Sequence, residues 1–304
     1  MKMTRDNFRE LLEPIHKKIV ADTYAQLPQQ YTQVVTVGDM DKWQVSYPHI
    51  GAFGTWNENT EGNTINETEI SQGDVAYFTA RRFDNGYSVT WELTRDNLYG
   101  PTGVLAGFGK GGSAGALARG LRQTEEIQAA APINGGFTNV GYDGKPLFAS
   151  DHPLTDSNKV GDNLIEGELI PETVKEGMTK MRHTFNEAGT IIPARTKQII
   201  VGPENEFTVM EILKSVNQAF ELSNTANVIE GVRPIVWDYI EGSTFMLRDP
   251  SYENLKLLWR DKPRFDSMPL PKTVDWFMYG YARFDTGYMD WRGLVGCTGI
   301  KPAP

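Results

Sequence analysis

The stretch GAFGTWNENTEGNTINETE, residues 51–69, is the strongest constraint on what this chain can become. It is rich in Gly, Asn and Thr, with aromatics scattered through it, and its apolar content is too low to build a core. Ordering backbone costs about 1–2 kcal/mol per residue, and nothing inside the stretch offsets that. Ahead of it, Phe8, Leu11, Leu12, Ile15, Ile19 and Tyr24 recur at helical spacing, which predicts a helix over about 5–26 with a kink or early break at Pro14. The whole of 1–75 is short of core. It is expected to become ordered by lying on neighbouring subunits, in contacts larger than an ordinary interface.

The rest of the chain has clearer periods. Val75–Phe83 and Tyr87–Leu93 flank Asp84-Asn85-Gly86. Asn-Gly tolerates the positive φ of a tight turn, so the pair reads as a long, extended hairpin. Tyr87, Val89, Trp91 and Leu93 alternate with polar residues, as in a half-buried strand. From Ala114 to Ala131 the text AGALARGLRQTEEIQAAA predicts a helix with Leu117, Leu121 and Thr124 on one face, ended by Pro132. An α/β region follows. Helices open at Pro171 and Pro203, with the buried strand KQIIVG between them. After Pro234 the runs IVWDYI, TFMLR, LKLLWR and TVDWFMYGYARF read as strands, and Trp237, Trp259, Trp276 and Trp291 within or beside them as core.

Charge and cysteine content narrow the function. The formal net charge is -9 and no block of five basic residues occurs, which argues against a dedicated nucleic-acid grip. Cys297 is the single cysteine, so no intrachain disulfide forms, as suits a reducing compartment. The charged start, Met1–Glu10, lacks a signal-peptide core, and no apolar run is long enough to predict a membrane span.

Each candidate for chemistry fails on its own physics. Ser150, Asp151 and His152 are consecutive, and Pro153 pushes His152 into extended chain, where neighbours point to opposite sides. A triad gathers its members from separate parts of a fold, and no nucleophile elbow surrounds this serine. Asp156, Asn158 and Gly161 match part of a calcium loop, but Val160 and Gly167 stand where two ligands belong. Gly107, Gly109 and Gly112 form a formal G-x-G-x-x-G without the preceding buried strand, and Lys110 completes no phosphate loop, so the stretch reads as a glycine hinge. The four histidines, at 16, 49, 152 and 183, are scattered. No catalytic, cofactor or metal site is expected.

Four segments carry a family likeness: RDNLYG (Arg95–Gly100), INGGF (Ile133–Phe137), YDGKPLFASDHPL (Tyr142–Leu154) and IIVGPENEF (Ile199–Phe207). In this order and spacing, over roughly 70–300, the chain resembles the HK97-fold major capsid proteins of tailed bacteriophages, closest to the Mu-like major head subunit type. The resemblance implies an α+β capsid fold. Residues 1–45 would be an N-terminal arm, 46–94 an extended loop (a β-hairpin), 95–154 and 246–304 a peripheral domain with a long spine helix, and 155–245 an axial α/β domain. Tyr142–Leu154 would be the crossing between the two domains. Gly144 and Pro146 set its turn, Leu147 and Phe148 anchor it, and His152-Pro153 directs the chain outward.

The implied function is structural: self-assembly, as hexamers and pentamers, into an icosahedral shell around a double-stranded DNA genome held without sequence-specific contacts. Scaffold, portal and cement proteins are the implied partners, with no membrane, no cofactor and no enzymatic step. The place is the virion, assembled in the host cytoplasm. Two alternatives share some of these features: an encapsulin-like shell with protein cargo, and a hydrolase using Ser150 and His152. In the fold's namesake an extended-loop lysine cross-links neighbouring subunits. Here no lysine occurs from Trp43 to Gly109, so the shell is expected to hold without that bond.

Overall fold

Two β-sheets and one long helix carry the architecture in the computed structural model, which describes residues 20–56, 58–65, 67, 72–90, 112–155, 157–215, 227–270 and 275–300. In chain order the strands are β1 (Thr36–Asp39), β2 (Gln44–Ile50), β3 (Gln72–Thr79), β4 (Arg81–Val89), β5 (His152–Leu154), β6 (Ser157–Gly161), β7 (Leu164–Ile165), β8 (Gln198–Val201), β9 (Arg233–Val236), β10 (Phe245–Arg248), β11 (Leu255–Pro269), β12 (Trp276–Tyr288) and β13 (Leu294–Cys297). The helices are α1 (Gly112–Asn134), α2 (Pro171–Arg182) and α3 (Glu206–Lys214). Residues 20–26 are also helical, the described part of the helix expected over 5–26. The glycine hinge at 107–111 and the segment Arg95–Gly100 lie outside the described residues.

The first sheet has the order β1-β11-β12-β4 and is built on the long β11–β12 ribbon. Met278, Gly280, Ala282 and Phe284 alternate inward along β12, the period of a half-buried strand. Helix α1 lies against this face, and Gly280 has no side chain where Leu117 and Phe265 approach. The second sheet has the order β7-β13-β10-β8-β9. Helices α2 and α3 cover it with Val174, Met181, Val209 and Ile212, against Ile199, Val201, Phe245, Leu247 and Val295. Pro171 opens α2, with Glu172 in its first turn and Lys180 and Arg182 in its last, which matches the charge of the helix ends.

One continuous core joins the two sheets. Ile133, Phe148, Ile200, Trp237, Met246, Leu257, Trp259, Phe284 and Trp291 are all buried in it. Trp237, Trp259 and Trp291 are core as expected, while Trp276 is half-buried at the end of the ribbon.

The structure corrects two sequence expectations about local structure. Asp84-Asn85-Gly86 is not a hairpin turn. β4 runs straight through it, pairing Asp84 with Tyr281, Asn85 with Gly280 and Gly86 with Tyr279. A Cβ on Gly86 would meet the Phe277 ring at 2.6 Å and the Met278 carbonyl at 2.7 Å, so this glycine serves close strand approach rather than positive φ. The hairpin is instead β2–β3, and the described residues 51–56, 58–65 and 67 between its strands form no helix or strand. At Ala80 the chain passes from one sheet to the other, gripped by Asp285, which accepts from Thr79 N at 2.8 Å and Arg81 Nε at 3.0 Å.

Second, Pro132 does not end α1, which continues to Asn134. A proline leaves the carbonyl four residues back without its helical donor. Here that carbonyl, on Gln128, accepts instead from Thr286 Oγ1 at 2.6 Å. β10 and β13 complete the second sheet: β10 pairs with β8, and β13 pairs with β10 and β7.

The contrast at Asn85-Gly86 is testable by denaturant unfolding of the full chain. Gly86→Ala should cost about 1–3 kcal/mol, because its Cβ has no room. Asn85→Ala should stay within about 0.5 kcal/mol, because its exposed side chain sets no turn.

Candidate functional site

Tyr142–Leu154 folds as a compact knot between α1 and the second sheet. Val140 and Pro146 form an isolated bridge, Gly141 N donates to Lys145 O at 2.7 Å, and Gly144 takes the turn with φ +76°. Leu147 and Phe148 are buried. Phe148 N donates to Gly136 O at 2.8 Å, just beyond α1. A Cβ on Gly136 or Gly296 would strike the Phe148 ring at 2.9 Å or 2.3 Å, so the ring fills a slot between α1's exit and β13.

His152 is the polar centre of this knot. Its side chain is 1% exposed, with Nδ1 2.6 Å from Asp143 Oδ2 and Nε2 3.1 Å from Asn163 Oδ1. The ring stacks on Trp291 at 4.5 Å and 9°. Gly161 leaves the space that Trp291 occupies. Asn163 carries the connection onward: its backbone N donates to Ala149 O at 3.0 Å and its carbonyl accepts from Gly296 N at 2.9 Å. Pro153 lies exposed in β5, opposite Val160 of β6.

The hydrolase reading finds no geometry here. Ser150 and Asp151 are exposed, and Asp151 pairs with Lys145 rather than with His152. His152 has both ring nitrogens turned to Asp143 and Asn163. The other described histidines are elsewhere: His49 stacks on Tyr142 at 4.3 Å and meets Met289 O at 2.5 Å, and His183 caps α2. Among the described residues no group of acidic, His or Cys side chains can hold a metal ion, and no helix is long and apolar enough to cross a membrane.

A second buried constellation was not visible in the sequence. Glu125 and Glu126, 0% and 2% exposed, lie side by side in the middle of α1. Glu125 accepts from the hydroxyls of Tyr24 and Tyr31 and, at 2.6 Å, from Arg122 Nη1. Glu126 accepts from the Gln30 N–H at 2.7 Å, the Tyr31 N–H at 3.1 Å and Trp237 Nε1 at 2.9 Å. Arg122 sits over the Tyr24 ring at 3.9 Å. One helix turn thus holds the N-terminal segment to the turn after β9. The expected Leu117–Leu121–Thr124 face is only half-buried. The close-packed face is that of Ala114, Ala118, Arg122, Glu125, Ala129 and Ile133, which the run of alanines at three- and four-residue spacing marks out.

The β2–β3 hairpin has the opposite character. Its root is packed, with Phe78 buried against Met40 and Leu258. Its far part exposes Ile50, Phe53, Trp56 and Ile65, with Trp56 95% exposed.

A subunit with a packed two-sheet body, a pinned N-terminal segment and an uncovered apolar hairpin has the parts of a shell protein. A family model for phage capsid protein matches residues 74–296. The chain belongs to the phage capsid protein family. It is a major capsid protein that forms the phage shell, a component of the virion rather than an enzyme. Its α+β fold is the HK97-like capsid fold. The capsid of the cyanophage P-SCSP1u is similar at TM-score 0.55 and 11% identity, over 88% of this chain and 87% of that one. The capsid of bacteriophage JBD30 decorated with minor capsid protein trimers is similar at TM-score 0.56 and 14% identity, over 71% and 92%. The virus-like particle from Pyrococcus furiosus is similar at TM-score 0.54 and 10% identity, over 94% and 98%. No curated protein matches the chain in sequence.

Burial pushes the carboxyls of Glu125 and Glu126 above their usual range of about 4.5, although the donors around them and Arg122 pull the other way. The folded subunit therefore holds protons that the unfolded chain releases. That contribution is whole below about 4.5 and is lost as pH rises through the raised values. Melting temperature should fall from mild acid toward neutral pH, by at most about 1.4 kcal/mol per pH unit and group in stability. Glu125→Gln with Glu126→Gln should flatten that slope in a thermal scan.

Proposed function

We propose that this capsid subunit assembles into a closed icosahedral shell of hexamers and pentamers around the double-stranded DNA of a tailed phage of the Mu-like type. The observation that carries the reading is the β2–β3 hairpin, which places Phe53, Trp56 and Ile65 in solvent on a loop with no core of its own. Such a loop repays its ordering only against another surface, and in a shell that surface is the next subunit. The net charge of -9 favours a wall along which DNA slides over one that grips it.

In this reading 1–45 is the arm and the hairpin within 46–94 is the extended loop. The peripheral domain centres on α1 and the first sheet, and the axial domain on α2, α3 and the second sheet, to which 246–304 lends β10 and β13. Gly144, Pro146, Phe148, His152 and Pro153 form the crossing between the domains. Scaffold, portal and cement proteins complete the particle, and assembly takes place in the host cytoplasm. A cement partner is supported by the likeness to a JBD30 capsid that carries minor capsid protein trimers. The likeness to a virus-like particle keeps a second reading, an encapsulin-like shell with protein cargo. Nuclease-resistant DNA inside purified particles decides for the phage shell, and a protein cargo without DNA decides for the other.

The hairpin can be tested directly. Phe53→Asp with Trp56→Asp should abolish particles in electron micrographs, while circular dichroism and the melting temperature of the subunit stay at the parent values. Particles formed at parental yield by the double variant would defeat this assignment.

A further inference from the structure

The His152 site has one acceptor more than a neutral imidazole can serve, and Asn163 fixes the count. Asn163 Nδ2 donates to Leu147 O at 2.8 Å, and its Oδ1 accepts from Ala149 N at 2.9 Å. Exchanging O and N in this amide would set oxygen against a carbonyl and N–H against N–H, so the atom 3.1 Å from His152 Nε2 is an oxygen. Asp143 Oδ2 faces the other ring nitrogen at 2.6 Å. A neutral ring offers one N–H and one lone pair. Here both nitrogens must donate.

We propose that His152 is a buried imidazolium, and that its second proton fastens the crossing to the second sheet through Asn163. The surroundings suit a cation. The Asp143 side chain, 4% exposed, supplies the counter-charge. The Trp291 face stacks on the ring at 4.5 Å. One like charge is near: the Arg292 guanidinium lies 4.7 Å from the same indole, and it is paired with Asp290 at 3.0 Å and Glu187 at 2.9 Å. Tyr142 and Tyr288, beside Asp143, are kept neutral by burial, which raises both hydroxyls well above their ordinary range. Lys145 and Asp151 pair with each other at the exposed rim.

The proton makes the joint conditional. A ring that loses it keeps the bond to Asp143 and turns a bare nitrogen toward Asn163 Oδ1. Two lone pairs then face each other where Asn163 hands over to Gly296 of β13.

Full-length chain labelled with ¹⁵N-histidine tests this by solid-state NMR of sedimented protein near neutral pH. The signals absent from a His152→Gln spectrum belong to His152. Both should be those of protonated nitrogens, and one bare nitrogen among them overturns the proposal. Asp143→Asn, which keeps the shape and removes the charge, should convert one of the two to a bare nitrogen. A fully protonated ring in that variant overturns the role given to Asp143. Should the variant fail to fold, the parent spectrum decides alone.

Discussion

Two buried carboxyl groups hold this subunit in register. Glu125 and Glu126 occupy consecutive positions of α1 and between them accept from Tyr24, Gln30, Tyr31, Arg122 and Trp237. Removing a carboxylate from water costs several kcal/mol, and the cost is met only when every lone pair finds a donor in good geometry. The demand is therefore selective. The segment at 24–31, the middle of the helix and the turn after β9 must all arrive together, or the buried carboxyl oxygens are left without donors. Apolar packing in the same core tolerates small shifts; this clamp does not.

The connection after α1 solves a different problem. Helix α1 must hand the chain to a sheet whose strands come from 164 to 297, and it does so over about thirty residues. Phe148 wedges between the glycines at 136 and 296, and the Asp143–His152–Asn163 chain ties the turn behind it. Both sheets then share one core, so a load on either is passed to the other through packed side chains rather than through a flexible linker.

What was legible in the sequence was local. The period of 114–131 marked α1, Pro171 marked the start of α2, and the apolar runs near 199, 245, 255 and 277 marked strands that exist. Local rules failed where a distant partner outweighed them. Asn85-Gly86 is a strong turn signal, yet β12 recruits it into a strand and uses the glycine for clearance. Pro132 is a strong stop signal, yet Thr286 supplies the missing donor. The clamp joins residues about a hundred positions apart: the alanine spacing marks the face that Glu125 shares, but nothing local names the distant donors that Glu125 and Glu126 meet. The YDGKPLFASDHPL motif was legible as a turn with an apolar anchor, but Asn163, eleven residues beyond His152, was not.

The two sheets pack around a shared core, and among the described residues the far part of the hairpin packs on nothing. Trp56 and Ile65 stand in solvent at the end of a two-stranded ribbon, a geometry of marginal stability alone. The account holds that this part of the chain is completed by neighbouring subunits. Hydrogen exchange on the backbone of residues 51–67, compared between free subunit and assembled particle, measures that directly. Slow exchange in the particle with fast exchange in the subunit is the predicted result. Equal protection in both states would mean that the hairpin is completed within its own chain, and would contradict the account.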